Sequence, residues 1–158
     1  MEQSVKCEIH IYILEGYDLA SKDIGSESDP YLVVSCGERS YNNRENYKLN
    51  ERNPKFNLHY KFQGDLPGVP TLKIEAYDYD DLFGDDLIGV TYIDLDDRFY
   101  NPKWRALKDK PIEFRQLLHH SSNLSQGQVS CWVDINQHQG KFETFREWEL
   151  ETEPVRNY

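Results

Sequence analysis

Nine consecutive residues, Asp78-Tyr79-Asp80-Asp81-Leu82-Phe83-Gly84-Asp85-Asp86, carry five aspartates and no basic side chain. Like charges packed this closely raise the free energy of a folded chain unless something neutralises them. A hard divalent cation can do so, because Ca2+ takes about six to eight oxygen ligands and favours carboxylates. A second acidic stretch, Asp23-Ile24-Gly25-Ser26-Glu27-Ser28-Asp29-Pro30, lies far upstream. Each stretch follows one apolar run and precedes another, so each reads as a loop between strands. If both loops occupy one end of one sandwich, Asp23, Asp29, Asp78, Asp80 and Asp86 can converge on a common ion cluster. The competing reading is two acidic turns that only keep strand ends soluble. Leu82 and Phe83 stand at the apex of the longer acidic loop, where there is no core to bury them, and Ile24 occupies a comparable place in the other. All three are candidates for insertion into lipid.

The elements that must position these loops are short and extended. Val5, Cys7, Ile9, Ile11 and Ile13 recur at every second residue, the period of a strand with one buried face. The run Asp29 to Cys36 is a second strand with Pro30 near its start, where a missing N–H costs least. A short third strand covers 39 to 42, and residues 42 to 55 read as a long, polar, solvated loop. Phe56 to Phe62 alternates as a fourth strand. The proline- and glycine-rich stretch Gly64 to Pro70 reads as a crossing loop. Strands over 71–77 and 87–94 flank the longer acidic loop. Asn101 before Pro102 predicts a helix cap with one helical turn over 103–107. Two further strands are expected over 111–117 and 128–135, the latter with Val129, Cys131, Val133 and Ile135 on one face and Trp132 on the other. With no long helix and no alternation of strand and helix, the pattern predicts an all-β, eight-stranded antiparallel sandwich. The domain is expected to span residues 1–136, with 137–158 a linker or docking tail.

Composition limits the function classes. The 158 residues suit one domain, and the formal net charge is -10, from Asp+Glu 28 against Lys+Arg 18. Nucleic-acid binding wants a basic stripe and is disfavoured. Cys7, Cys36 and Cys131 are odd in number, form no CxxC and sit in apolar runs, so buried reduced thiols and a reducing compartment are expected. No apolar run approaches the length that spans a bilayer. Neither acidic loop holds a histidine or lysine to act as acid or base, which argues against a metal-assisted hydrolase and for a non-enzyme. The adjacent pair His119-His120 lacks a spaced partner and is a weak zinc signal. Docking of a protein partner through Phe99, Tyr100 and Trp104 is a further possibility.

Three motifs together resemble the C2 domains. Leu19-x3-Asp23-x-Gly25-x2-Ser28-Asp29-Pro30-Tyr31 is similar to their first calcium-binding loop. Asn53-Pro54-Lys55-Phe56 is similar to the element that precedes their fourth strand, and Asp78-Tyr79-Asp80-x5-Asp86-Leu87-Ile88-Gly89 to their third loop. The resemblance places the family's five calcium-binding aspartates on Asp23, Asp29, Asp78, Asp80 and Asp86. The order of elements resembles the second of the family's two permuted topologies, type II. More narrowly, residues 93 to 135, with Pro102-Lys103-Trp104-Arg105-Ala106-Leu107 and Trp132-Val133-Asp134-Ile135, resemble a C2 domain from the later half of a ferlin. Ferlins are large tail-anchored proteins with several such domains, associated with vesicle fusion and membrane repair. The resemblance therefore implies a calcium-dependent phospholipid-binding module that holds two or three Ca2+ ions. Its partners would be an anionic phospholipid membrane and, further, other C2 domains of the same chain or protein partners. It would work at the cytosolic face of a membrane as one domain of a larger anchored protein. The two loops carry eight carboxylates, counting Asp23, Glu27, Asp29, Asp78, Asp80, Asp81, Asp85 and Asp86. Two ions supply +4 and three supply +6, enough to turn a membrane-repelling tip nearly neutral. Asp81, Asp85 and Glu27 are expected to be peripheral. The alternative is a calcium-insensitive protein-interaction or structural module.

Overall fold

Alternation of apolar and polar residues builds two four-stranded antiparallel sheets, seen in a computed structural model that describes residues 4–22, 25–69 and 71–137. The first strand, β1 (Val5–Tyr17), buries Cys7, Ile9, Ile11 and Ile13 completely and turns Glu8, His10 and Tyr12 outward. The others are β2 (Pro30–Cys36), β3 (Arg39–Asn42), β4 (Lys55–Leu66), β5 (Leu72–Asp78), β6 (Asp86–Ile93), β7 (Glu113–Gln116) and β8 (Gln128–Gln137). One sheet has the order β4-β1-β8-β7 and the other β3-β2-β5-β6. Every strand pairing is antiparallel. Between the sheets lie Ile9, Ile11, Leu32, Val34, Phe62, Ile74, Ala76 and Val133, a single apolar core. The last strand closes beside the first, and the first acidic loop follows β1, the permuted order implied by the resemblance.

Several boundaries differ from the sequence expectation. The fourth strand does not stop at Phe62 but runs through Gly64 and Asp65 to Leu66, which pairs with Val5 and is wholly buried. Gly64 serves this strand because Val69 folds over it; a Cβ there would lie 2.5 Å from the Val69 Cγ2. The first strand continues past a bulge at Ile13–Gly16 to Tyr17. Residues 111–117 supply only the four-residue β7.

The segment after β6 makes two helical turns where the sequence predicts one. α1 (Leu95–Phe99) is capped by Asp94, whose side chain accepts from the Asp97 N–H at 3.0 Å, and it buries Leu95 and Phe99 on one face. α2 (Pro102–Ala106) is the expected turn, with the Asn101 side chain accepting from the N–H groups of Lys103 and Trp104. Trp132, on the outer face of β8, stacks on Tyr12 with ring centroids 3.9 Å apart. The three cysteines are buried thiols, and burial pushes Cys7 and Cys36 up to about 11 and Cys131 to about 12. Among the described residues no helix is long and apolar enough to cross a membrane. The tail expected beyond β8 lies outside the described residues.

Candidate metal centre

The two acidic loops open at the same end of the sandwich, where β1 finishes, β2 begins, and β5 hands over to β6. The ladder fixes the first contacts there: Pro30 pairs with Asp78, and Asp78 with Asp86. Asp78, the last residue of β5, is only 8% exposed. Its Oδ1 accepts from the Asp29 N–H at 2.8 Å, and the Tyr79 N–H returns a bond to the Asp29 carbonyl at 2.9 Å. The β2–β5 ladder is thus extended by one rung, with two carboxylate-bearing residues on it.

Beyond that rung the longer loop bends back on itself. The Asp80 Oδ1 accepts from the N–H groups of Leu82 at 2.9 Å and Phe83 at 3.2 Å, a turn made by an aspartate with its own downstream backbone. Gly84 completes the turn at φ 85°, a left-handed conformation suited to glycine. The turn drives Leu82 and Phe83 into solvent, 84% and 89% exposed, in keeping with their apex position. Below them is a cleft of about 430 Å3 lined by Asp29, Asp78, Asp80, Asp81 and Asp86, with Tyr79 and the two apolar residues completing the wall. Four of the five aspartates expected to bind metal therefore share one cleft. The fifth, Asp23, and the lipid-insertion candidate Ile24 lie outside the described residues. Asp81, expected to be peripheral, lines the cleft as well.

The connection between β3 and β4 is largely exposed, as expected of a solvated loop, but it is also bonded to the first acidic loop. A single 3-10 turn, Arg44–Asn46, begins it. The Asn50 N–H donates to the Asp29 Oδ1 at 2.6 Å, and the Asn50 Oδ1 accepts from the Glu27 N–H at 2.9 Å. The N–H groups of Lys48 and Glu51 bond the carbonyls of Pro30 and Ser28, each at 2.9 Å. This segment does not line the cleft but is stitched to the first acidic loop beside it. Arg44 reaches further. Its Nε bonds Asp85 Oδ2 at 2.7 Å, and its guanidinium lies 4.5 Å from the Tyr79 ring centre. The Arg44 guanidinium holds the Asp85 carboxyl down at about 2, and Tyr31 donates its hydroxyl to the same group. Asp85 is thereby spent on structure and does not line the cleft. Sequence reasoning missed Arg44 and Asn50 because nothing local marks them.

The donor set is all oxygen and, among the described lining residues, without a cation, which fits Ca2+ or a similar hard ion. Asp29, Asp78 and Asp80 each commit one carboxylate oxygen to backbone N–H groups, which fixes where each side chain starts. Among the described residues no three carboxylates, histidines or cysteines are already gathered to ligand distance. His119 and His120 stack on each other with centroids 4.3 Å apart, and the His119 Nδ1 accepts from the Ser121 N–H.

Comparison with known proteins places this geometry. The family model described as "C2 domain" matches residues 7–112. A 97-residue segment is 39% identical to myoferlin of Xenopus tropicalis, covering 61% of this chain and 5% of that protein. Fer-1-like protein 4 of Mus musculus is 37% identical over 97 residues, with the same two coverages. The chain thus spans about 5% of the length of the curated relatives it matches. Among solved structures, the calcium-bound pair of C2 domains of Extended-Synaptotagmin 2 superposes with TM-score 0.68 at 26% identity, covering 84% of this chain and 46% of that one. A C2 domain of a plant Extended Synaptotagmin 1 shares the fold, with TM-score 0.69, 17% identity, and coverage of 88% and 100%.

Proposed function

This chain belongs to the C2-domain family, and from that premise we propose that it is a calcium-dependent phospholipid-binding module of a ferlin-like protein of membrane fusion or repair. The observation that carries the reading is a juxtaposition: a cleft of five carboxylates lies directly against Leu82 and Phe83, two large apolar side chains held out in water. Neither half is useful to a solitary fold. The carboxylates repel one another, and the apolar pair costs solubility.

Together the two halves make a switch. Asp29, Asp78, Asp80 and Asp86, with Asp23 from the first loop, hold two or three Ca2+ ions. The ions cancel the field that keeps the tip away from an anionic bilayer and offer open positions to lipid phosphate oxygens. Leu82 and Phe83, with Ile24, then enter the interface, where burial of the first two contributes on the order of 3–5 kcal/mol before ordering costs. Arg44 already compensates Asp85, so seven of the eight loop carboxylates remain for ions to balance. The setting is the cytosolic face of a membrane. The chain's part is binding rather than catalysis.

The reading is tested by calorimetric Ca2+ titration of the wild type and Asp78→Asn, with co-sedimentation on phosphatidylserine-containing vesicles at matched free Ca2+. Asparagine keeps the acceptor for the Asp29 N–H, so the sandwich should persist while heat and sedimentation disappear. Vesicle binding that ignores chelation of Ca2+ would instead establish a protein-interaction or structural module. One observation favours that second reading: no ready-made three-ligand set exists among the described residues.

A further inference from the structure

We propose that Arg44 is a positioning residue of the metal centre: by clamping Asp85 it holds the 79–85 loop in the shape that brings Asp80 to the cleft where the strand ladder sets Asp78 and Asp86. The inference rests on the cation-binding reading above and adds to it a residue from outside both acidic loops. Arg44 grips Asp85 at two points, Nε to Oδ2 at 2.7 Å and Nη2 to Oδ1 at 3.3 Å. The same Asp85 Oδ1 accepts from the Asp80 N–H at 2.8 Å, closing the loop across five residues. Tyr31, on β2, donates its hydroxyl to Asp85. One carboxylate therefore joins the 3-10 turn, the second strand and the start of the loop.

The grip extends to the other end of the loop. The Arg44 guanidinium lies against the Tyr79 ring, and that ring stacks on Tyr47 with centroids 3.9 Å apart and planes 7° from parallel. Arg44 and Tyr47 bracket the 3-10 turn, so Tyr79 and Asp85, the two ends of the loop, are held by one short segment. That segment is itself anchored. The Asn43 N–H bonds the Leu32 carbonyl at 3.0 Å, the Arg44 N–H bonds Asn42 Oδ1 at 2.9 Å, and Asn43 is 6% exposed. Asp80 lies inside the clamped part of the loop and Asp86 directly follows it, whereas Asp85 is withdrawn from the cleft.

Two effects of Arg44 oppose each other, and their signs separate a clamp from a mere charge. As a positive charge beside the cleft it repels cations, so its removal should tighten binding. As a clamp it preorganises the ligands, so its removal should loosen binding. We expect the clamp to prevail. Arg44→Gln should weaken Ca2+ binding about fivefold, the scale of a well-formed surface ion pair. Arg44→Lys keeps the charge but loses the two-point grip and the stack, and should weaken it in the same direction.

The experiment measures Ca2+ affinity by calorimetry for wild type, Arg44→Gln and Arg44→Lys. Alongside it, hydrogen exchange of the Asp80, Leu82 and Phe83 amides is followed in the calcium-free proteins. Weaker binding in both variants, faster exchange at Asp80 and at most a small fall in melting temperature, from the lost Asp85 ion pair, are the expected results. Tighter or unchanged affinity in Arg44→Gln overturns the proposal, as does wild-type affinity in Arg44→Lys. If the wild type itself takes up no Ca2+, it is the cation reading that fails. The exchange measurement then still decides the clamp: faster exchange supports it and unchanged exchange at Asp80 overturns it.

Discussion

The two ends of the sandwich use charged residues in opposite ways. Around the helical turns that follow β6, Glu113 and Lys110 are answered from within the fold. Glu113 receives Arg98 Nε at 3.0 Å and Arg115 Nη1 at 2.8 Å. Lys110, 7% exposed, donates to the carbonyls of Trp104, Arg105 and Leu107 at 2.9, 3.1 and 2.7 Å, with the Trp104 ring centre 4.5 Å away. At the other end five aspartates line one cleft, and among the lining residues no cation answers them. At the far end Glu113 and Lys110 find their partners within the fold. The acidic end leaves a deficit, and the proposed cation site rests on it. Asp85 is the informative exception, because it is gripped by Arg44 and is also an aspartate that the cleft excludes.

The contrast breaks if the two ends respond alike to loss of charge. Lys110→Met removes the donor shared by three carbonyls at the C-terminal end of α2, and should cost about 2–3 kcal/mol in denaturant unfolding while leaving Ca2+ affinity unchanged. Phe83→Ala should do the reverse. It removes a side chain that touches little in the free protein, so unfolding and solution Ca2+ affinity stay put. Vesicle affinity falls by about 2 kcal/mol, roughly thirtyfold. Equal loss of solution Ca2+ affinity in that variant would make Phe83 a structural residue. Asp80→Asn should raise the stability of the calcium-free protein by about 0.5 kcal/mol by thinning the repulsion, since asparagine can still accept from the Leu82 N–H. A drop in calcium-free stability would show that the aspartates are there for the fold.

How much of this was legible in the sequence follows the range of the interactions. The buried face of β1, the cap on α2 and the exposed Leu82-Phe83 apex are set by residues within a few positions of one another, and pattern reading found them. So were the cleft aspartates on β5 and β6, because a tight acidic loop fixes their register. The support from the β3–β4 connection was not legible. Arg44 meets Asp85 across 41 positions and Asn50 meets Asp29 across 21, and a polar stretch offers no period by which to choose partners. α1 was missed because one turn shows only Leu95 and Phe99 at helical spacing behind its Asp94 cap. The end of β4 was hidden by Gly64, a residue that pattern rules assign to loops and that here makes room for Val69.

The smallest effects, those of single titrating groups, separate the acidic tip from the outer face of the first sheet by pH. On that face His10 lies between Glu8 and His59, each 2.7 Å from one of its ring nitrogens, with Lys61 and Asp134 opposite it on β4 and β8. Burial, more than any neighbour, pushes the His10 imidazole below its ordinary 6.5, against the raising effect of Glu8. The unfolded chain then takes up a proton at His10 before the folded one does. Stability from this group is complete above 6.5 and is lost as pH falls from 6.5 toward the lower folded value. At the tip, Asp85 is held down from 3.8 to about 2, chiefly by Arg44, so its contribution is complete above 3.8 and is lost between 3.8 and about 2. Denaturant unfolding across this range should therefore show two separate declines. His10→Asn should flatten the upper one alone and Arg44→Gln the lower one alone. A lower decline that survives Arg44→Gln would mean that Asp85 is held by Tyr31 and the Asp80 N–H without help from the arginine. The acidic tip would then have no internal cation of consequence.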